Sequence, residues 1–323
     1  MRFFCFYLHF SWSEAYNGTT LTSLLARIIR VERKWWILAA IAVGTFISVL
    51  DQTAINLALP RIATHFDATI PEVQWVTLGY MLTTGALLLP MGRLSDIVGR
   101  QRVYISGFAV FTIGAVLAAL STQLLGVIVF KVLQGVGAAM VQANGMAIVT
   151  STFPSSERGK VIGLFMTMVG AGAIAGPVVG GSIVGAFGWR AIFFLGVPLG
   201  LIAITIASVV LHGRVDDSST KESSREHFDW IGASLSSSCL ALFLLVMTGA
   251  YRIGWGSPWV IAAFTAVIVL LGAFVQWELK SRDPMLPPDL FKRRIFSLGV
   301  SAGFLNNLAG TVSYTHLTLP PIL

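Results

Sequence analysis

The fold is decided by stretches such as residues 191–211, which read AIFFLGVPLGLIAITIASVVL. This stretch contains no charged residue, and a helix of about 20 apolar residues is long enough to cross the hydrocarbon core of a bilayer. Comparable stretches lie on both sides of it along the chain. Together they predict eight spans, at approximately residues 35–58, 73–91, 103–121, 124–149, 160–187, 191–211, 230–250 and 258–278, with a partial ninth at 295–312.

The composition of the whole chain supports this prediction. Of the 323 residues, 55% are hydrophobic and only 11% are charged, whereas about 25% of the residues of a soluble domain are charged. A soluble core of this size cannot bury so much apolar surface. We therefore expect an all-α polytopic membrane protein.

The basic residues alternate from one loop to the next. A net charge of +7 would suggest nucleic acid in a soluble protein, but here the charges lie between apolar runs, so we expect no nucleic-acid partner. By the positive-inside rule, the loops rich in lysine and arginine lie in the cytoplasm together with the N-terminus. These loops carry Arg93, Arg100, Arg102, Arg158, Lys160, Arg214, Lys221, Arg225, Lys280, Arg282, Lys292, Arg293 and Arg294, and the opposite loops carry Arg61, Arg190 and Arg252. The expected location is a plasma or inner cell membrane.

The spans and the polar breaks between them divide the chain into segments. The first segment is interpreted as a tail or as a start assigned too far upstream, and the last, which resembles translated adapter sequence, as a non-native tail. The predicted division is an N-terminal tail at 1–34, a six-helix domain at 35–211, a cytoplasmic linker at 212–229, two further helices at 230–279, a loop with the truncated start of a second half at 280–312, and the non-native tail at 313–323.

The first span contains a carboxylate, Asp51. A charged side chain within a membrane helix is costly and usually faces a cavity or a partner. Burial penalises the charged form of a carboxylate, which suits a group that takes up and releases a proton. We predict that Asp51 couples transport to protons and that Gln52 and Asn56 line a substrate cavity. The alternative is a structural carboxylate bonded to the backbone or to a neighbouring helix.

The fourth span contains one basic residue, Lys131. Its ammonium could extend to the membrane interface, as long basic side chains do near helix ends. Alternatively it could point inward and exchange partners with a carboxylate as protons move. Gln134 follows one turn later on the same face, and both residues are predicted to line the substrate cavity.

A compact charged segment, GRLSDIVGRQR at residues 92–102, joins the second and third spans. Its glycines permit a tight turn, and Asp96 could cap a helix and pair with Arg100. We interpret Gly92, Asp96, Gly99 and Arg100 as a cytoplasmic latch for one conformation. The alternative is ordinary positive-inside charge.

Small residues recur along the fifth span. Gly172, Gly176 and Gly180 are spaced by four residues, with Pro177 and Gly181 beside them. This spacing produces a smooth helix face for close packing, and a proline removes one backbone hydrogen bond and favours a kink. We predict that this face packs against another helix.

The sequence offers no pattern for enzymatic chemistry. It contains no Walker glycine loop and no serine nucleophile elbow, and its histidines and cysteines form no metal-ligand pattern. We therefore expect neither an enzyme nor a cofactor, and a proton gradient as the source of energy.

These segments together resemble the major facilitator superfamily over roughly residues 33–312. The segments 92–102, 131–139 and 172–181 are similar to its motifs at the second-to-third-helix loop, the fourth helix and the antiporter fifth helix. Residues 50–60 resemble the first-helix motif of its fourteen-helix drug:proton antiporter branch. The two central helices and residues 282–287 fit that branch as well. Two positions differ: Lys131 stands where the family normally has arginine, and Gly196 where it often has asparagine.

The resemblance implies the N-terminal half of a major facilitator fold with two linker helices. It also implies proton-driven export of amphipathic, often cationic, small molecules, with Asp51 carrying or sensing the proton. A transporter for one specific metabolite, in either direction, remains open, as does an inactive or non-transporting membrane fragment. The substrate, the stoichiometry and any accessory export protein are not implied.

Overall fold

The computed structural model describes residues 18–211, 228–281, 284–287 and 289–318. Within these ranges the secondary structure is helical, without a β-strand. The helices are α1 (Gly18–Ala54), α2 (Leu59–Phe66), α3 (Ile70–Val98), α4 (Arg100–Leu120), α5 (Leu124–Thr152), α6 (Ser155–Phe187), α7 (Arg190–Leu211), α8 (Trp230–Ile253), α9 (Pro258–Lys280), α10 (Asp289–Lys292) and α11 (Arg294–Thr318), with a short 3-10 helix at Ile55–Leu57.

The apolar stretches form the predicted membrane helices. Among the described residues, eight helical segments, in α1 and in α3 to α9, are long and apolar enough to cross a bilayer. The apolar part of α11 is shorter, covering Arg294–Leu305. The prediction of an all-α polytopic membrane fold is confirmed.

The two ends of the chain are more helical than the predicted boundaries imply. Helix α1 begins at Gly18, within the predicted tail at 1–34, although its membrane-spanning part starts at Arg33. The preceding turns contain leucine, alanine and arginine, which favour helix. At the other end, α11 continues to Thr318, within the predicted non-native tail at 313–323. Residues 1–17 and 319–323 lie outside the described residues.

The first span ends at Leu57, close to the predicted bound of 58, with a break in its last turn and a short helix after it. The α1 helix stops at Ala54, and the 3-10 turn Ile55–Leu57 leads into α2. Pro60 lies in the first turn of α2, where its missing N–H costs nothing. One face of α2 is buried through Ile62 and Ala63. The predicted bound at residue 58 therefore lies within one residue of the end of the span, and a separate short helix follows it.

The segment predicted as a charged loop is mostly helix. Helix α3 continues through residues 92–98, and only Gly99 separates it from α4. Gly99 adopts φ 107°, a backbone conformation that costs a side-chain-bearing residue free energy. Asp96 therefore lies in the last turn of α3 and does not cap α4, because the N-cap position of α4 is Gly99.

The chain divides into two compact units, residues 1–223 and 224–323. In the first unit, α1 packs against α6 and α7, α5 packs against α3 and α4, and α4 packs against α7. In the second unit, α8 packs against α9. There the Asp229 carboxylate accepts the N–H of Gly232 at 2.8 Å, at the start of α8, and the indole N–H of Trp277 at 2.9 Å. Most of the predicted linker, residues 212–227, lies outside the described residues.

The glycine face of α6 packs directly against α1. An added Cβ at Gly172 would lie 2.9 Å from the Phe46 carbonyl oxygen, and one at Gly176 would collide with the Thr53 side chain. An added Cβ at Gly180 would lie 2.8 Å from the Ala54 carbonyl oxygen. The spacing of these glycines is therefore matched by backbone-to-backbone contact, which any larger residue would prevent.

The neighbours of this face complete the contact. An added Cβ at Gly181 would lie 3.2 Å from the Leu57 side chain, in the break after α1. Pro177 is exposed, and helix α6 continues through it. The four predicted glycines thus contact α1 or the turn that follows it, whereas the predicted proline does not belong to this contact face.

The close approach of α6 to α1 predicts that Gly180→Ala destabilises the first unit. The new methyl group would meet the Ala54 backbone, and overpacking of this kind costs about 1–3 kcal/mol. Thermal unfolding of the detergent-purified protein measures the effect. Gly170→Ala in the same helix is the matched control, because an added Cβ there meets nothing within 4 Å. Equal unfolding temperatures for the two variants would contradict the contact.

Candidate functional site

A buried ion pair joins α1 to α5. The ammonium nitrogen of Lys131 lies 2.8 Å from Oδ2 of Asp51, and the two side chains are only 1% and 4% exposed. The Nε2 amide of Gln134, one turn further along α5, donates to the same carboxylate oxygen at 3.2 Å. Three residues separated by up to 83 positions in the chain therefore meet in one polar cluster.

Small residues allow the helices to approach closely around this cluster. An added Cβ at Gly114 of α4 would lie 2.8 Å from the backbone nitrogen of Gln134. An added Cβ at Gly196 of α7 would lie 3.6 Å from Oδ1 of Asp51. The ion pair is thus enclosed by α1, α4, α5 and α7, and not directed to the surface of the bundle.

Aromatic rings surround the ammonium. The Lys131 nitrogen lies 5.0 Å from the centroid of the Tyr80 ring on α3 and 5.4 Å from that of the Phe193 ring on α7. Both distances are within the range in which a cation is attracted to the face of a ring. Tyr80 is 2% exposed, and Phe193 is fully buried.

The carboxylate of Asp51 has two chemically different oxygens. Oδ2 accepts both hydrogen bonds, whereas Oδ1 is buried and has no hydrogen-bond partner among the described residues. A buried acceptor without a partner is costly. Oδ1 is therefore an acceptor in this cluster that is open to a further hydrogen bond.

The predicted cavity residues do not gather in one place. Lys131 points inward and does not extend to the membrane interface, which was the alternative reading of its position. Gln134 is fully buried, Gln52 is half-buried, and Asn56 is exposed in the 3-10 turn, where its Oδ1 lies 3.5 Å from the Thr77 hydroxyl. The assignment of all four to a substrate cavity stays a prediction.

The predicted latch residues lie at the α3–α4 end of the bundle. Nε and Nη2 of Arg100 donate to Oδ1 of Asp96 at 3.1 and 3.0 Å, and Nη1 lies 3.5 Å from the Ala147 carbonyl oxygen of α5. Both charged side chains are exposed by more than 40%, so the pair alone contributes little stability. Gly92 and Gly99 have open space around them. The geometry connects three helices, and the role as a latch stays a prediction.

Two groups of residues near polar or charged side chains were not predicted from the sequence. Tyr80 and Phe193 carry no sequence signal, since an aromatic residue in a membrane helix is usually packing. The second group lies at the other end of the bundle, where the guanidinium of Arg190 donates to the Ser121 carbonyl oxygen at 3.2 Å and lies 3.4 Å from His65. A cavity of about 380 Å³ adjoins it, lined by Arg61, Thr64, His65, Val184, Gly185, Gly188 and Trp189. The Trp189-Arg190 pair at a helix start could have indicated this end.

Apolar helices that are long enough to cross a bilayer and that close around a buried ion pair define a multi-pass membrane protein. Residues 41–313 match the family model of the Major Facilitator Superfamily. The chain belongs to this family, whose members are transporters and not enzymes.

Curated relatives agree with this assignment. The chain is 36% identical over 284 residues to the riboflavin transporter of Clostridioides difficile (strain 630), covering 88% of this chain and 58% of that protein. It is 31% identical over 271 residues to the tetracenomycin C resistance and export protein of Streptomyces glaucescens, covering 84% and 49%. It is also 31% identical over 274 residues to the methylenomycin A resistance protein of Bacillus subtilis (strain 168), covering 84% and 57%. The chain thus spans about half the length of the curated relatives it matches.

The burial of the ion pair predicts strong energetic coupling between Asp51 and Lys131. Lys131→Met leaves a buried carboxylate without its cation, which costs about 3–5 kcal/mol. The Asp51→Asn/Lys131→Met double variant should lose much less stability than the sum of the two single variants. Thermal unfolding of the four proteins in detergent measures this cycle.

A second ion pair in the same unit provides the control for this cycle. Lys34 and Glu157 lie 2.6 Å apart, but their side chains are 18% and 38% exposed, so Lys34→Met should cost only about 1 kcal/mol or less. Strictly additive losses for Asp51 and Lys131 would show that the two charges do not depend on each other.

Proposed function

We propose that this chain is part of a proton-coupled antiporter that exports amphipathic, often cationic, small molecules. The observation that carries the proposal is the buried Asp51–Lys131 pair. Intramembrane ionisable residues are expensive, and in transporters they commonly form ion paths or proton relays. A fully enclosed carboxylate is a group whose charge state can bias one arrangement of helices over another.

In the proposed cycle, a proton binds Oδ1 of Asp51 and neutralises the carboxylate. Lys131 then keeps its hydrogen bond to Oδ2 but loses the attraction between opposite charges. The pair no longer holds α1 against α5 as strongly, so the bundle can rearrange and release the substrate on the side from which the proton came. Loss of the proton to the other side restores the ion pair. No cofactor takes part in this cycle, which is driven by the proton gradient alone.

The names of two relatives support export of toxic compounds, since one is an export protein and both are resistance proteins. The riboflavin transporter favours a second candidate, namely transport of one specific metabolite. Both candidates use the same ion pair, and they differ in the groups that recognise the substrate.

We further propose that the chain is the N-terminal portion of a longer transporter of the fourteen-helix branch, with α8 and α9 as the two central helices. Substrates of such transporters bind near the membrane midplane between two repeats, so the first unit would supply one wall of the cavity. The basic loops favour a cytoplasmic N-terminus in the cell membrane.

The proposal predicts that Asp51→Asn abolishes proton-coupled efflux while expression is retained. The amide keeps the shape of the side chain but cannot take up a proton. The complete reading frame is expressed in cells that lack their own efflux pumps, and export of a fluorescent amphipathic cation is followed with and without an imposed pH gradient. Glu157→Gln is the matched control, because its carboxylate pairs with Lys34 away from the buried cluster.

Three outcomes of this experiment are informative. Undiminished gradient-driven efflux by Asp51→Asn would remove that residue from the mechanism. Gradient-driven movement of riboflavin without movement of the cation would favour the metabolite transporter. Failure of the complete reading frame to move either probe under any gradient would favour a non-transporting membrane protein.

The contact of Gly196 with Asp51 predicts a second effect on coupling. Asparagine at this position could donate an amide N–H to Oδ1 and so stabilise the charged carboxylate, a bond worth about 1.5–3 kcal/mol. Gly196→Asn should therefore move the pH of half-maximal efflux down by roughly one unit. Gly196→Ala should leave it unchanged, because its Cβ makes only ordinary contacts at 3.6 Å. An upward shift for Gly196→Asn would contradict protonation at Oδ1.

A further inference from the structure

The ammonium of Lys131 has neighbours that the proton cycle described above does not use. The ammonium donates to Oδ2 of Asp51 at 2.8 Å, and the faces of Tyr80 and Phe193 lie 5.0 and 5.4 Å from it. These aromatic residues lie on α3 and α7, and neither helix contributes a charged side chain to the cluster. We propose that Tyr80 and Phe193 form an aromatic cage that holds the Lys131 cation while Asp51 is protonated.

The need for such a cage follows from burial. When Asp51 is neutral, the Lys131 charge remains in an apolar interior without a counter-ion, and a lone buried cation is strongly penalised. The ammonium would then have to lose its own proton or leave the cluster. Loss of the Lys131 proton would undo the coupling, because it would offset the proton gained by Asp51, and departure of the ammonium would break the cluster. A neutral group that attracts cations avoids both.

Aromatic rings can stabilise a lone cation because the electrostatic potential at the face of a ring is negative. The face of a ring is negative, so it attracts an ammonium and repels a carboxylate. With the ion pair intact, the two effects largely cancel, since the opposite charges are 2.8 Å apart. After Asp51 takes up a proton, only the attraction remains. The rings therefore stabilise the protonated state relative to the ion-paired state.

The surroundings strengthen this effect. Cation–ring attraction is largest where water is excluded, and Tyr80, Phe193 and Lys131 are each at most 2% exposed. The close approach of α3 to α5 at Gly135, where an added Cβ would lie 2.9 Å from the Tyr80 carbonyl oxygen, places the Tyr80 backbone against α5. The cage makes Tyr80 and Phe193 positioning residues that act through Lys131 without touching a substrate.

The inference rests on the proposed proton coupling and is tested on the same complete reading frame. Phe193→Leu and Tyr80→Leu should each move the pH of half-maximal efflux down by about 0.5–1 unit, which is a three- to tenfold loss of proton affinity. Tyr80→Phe should keep the wild-type profile, because it keeps the ring and removes only the hydroxyl. Phe193→Tyr should likewise restore the profile lost in Phe193→Leu.

Phe108→Leu and Tyr104→Leu are the matched controls. Both residues are fully buried aromatic side chains of the same unit, but they pack against each other with ring centroids 5.2 Å apart, away from Lys131. They should lower thermal stability without moving the pH profile. If Phe193→Leu does not fold, the Tyr80 series gives the same comparison with an independent residue.

The outcomes separate the cage from the proton coupling itself. Loss of coupling in Asp51→Asn together with unchanged profiles in both leucine variants would overturn the cage alone. Unchanged coupling in Asp51→Asn would overturn the cage and the proposed function together. Equal pH shifts in the cage variants and in the Phe108 and Tyr104 controls would also overturn the cage, because the effect would then be general loosening of the bundle.

Discussion

A carboxylate and an ammonium cannot be left alone in an apolar interior, and this constraint governs the first unit of the protein. Asp51 and Lys131 satisfy each other at 2.8 Å, and each would be strongly destabilising without the other. Their pairing determines which face of α1 turns toward α5. The opposite requirement acts on the side of α1 that meets α6, where Gly172, Gly176 and Gly180 leave no room for side chains. Helix α1 is thus bound to α5 by an ion pair on one face and packed against the glycines of α6 on another.

These two kinds of contact differ in how easily they can be changed. The glycine contact depends on the covalent structure of α6 and is present in every protonation state. The contact between Asp51 and Lys131 depends on two opposite charges, and in the proposed cycle it weakens when Asp51 takes up a proton. Helix α1 is therefore tightly packed on the side that meets α6, whereas its contact with α5 includes a buried charge pair.

Several features of the fold follow from local sequence and were therefore predictable. The spans are long uncharged runs, and the backbone of such a run has to satisfy its hydrogen bonds internally within a bilayer, which leaves the helix as the solution. The errors were at boundaries. Residues 92–98 carry charges and were assigned to a loop, but their side chains do not prevent helix formation, and only the positive φ of Gly99 interrupts the chain. The charges at residues 33 and 34 lie at the start of the membrane-spanning part of α1, although the helix itself begins at Gly18.

The candidate site could be predicted only in part. Asp51 and Lys131 were identifiable because a charge in an apolar run is rare, but two partners remained open for Lys131, the interface and a carboxylate. Tyr80 and Phe193 could not be identified, because aromatic residues are common in membrane helices and their role depends on what lies opposite them. Gly196 was noticed only as a difference from the family pattern. The tertiary structure shows that it lies beside Oδ1 of Asp51.

The sequence by itself determined that this protein crosses a membrane several times, which residues in its spans are charged, and which helix face is smooth enough for close contact. These properties depend on composition and on spacing along one helix. Only the tertiary structure decided that Asp51 pairs with Lys131, that two rings face the ammonium and that the glycine face meets α1. Those contacts join residues as many as 126 positions apart, and their geometry depends on how several helices pack at once.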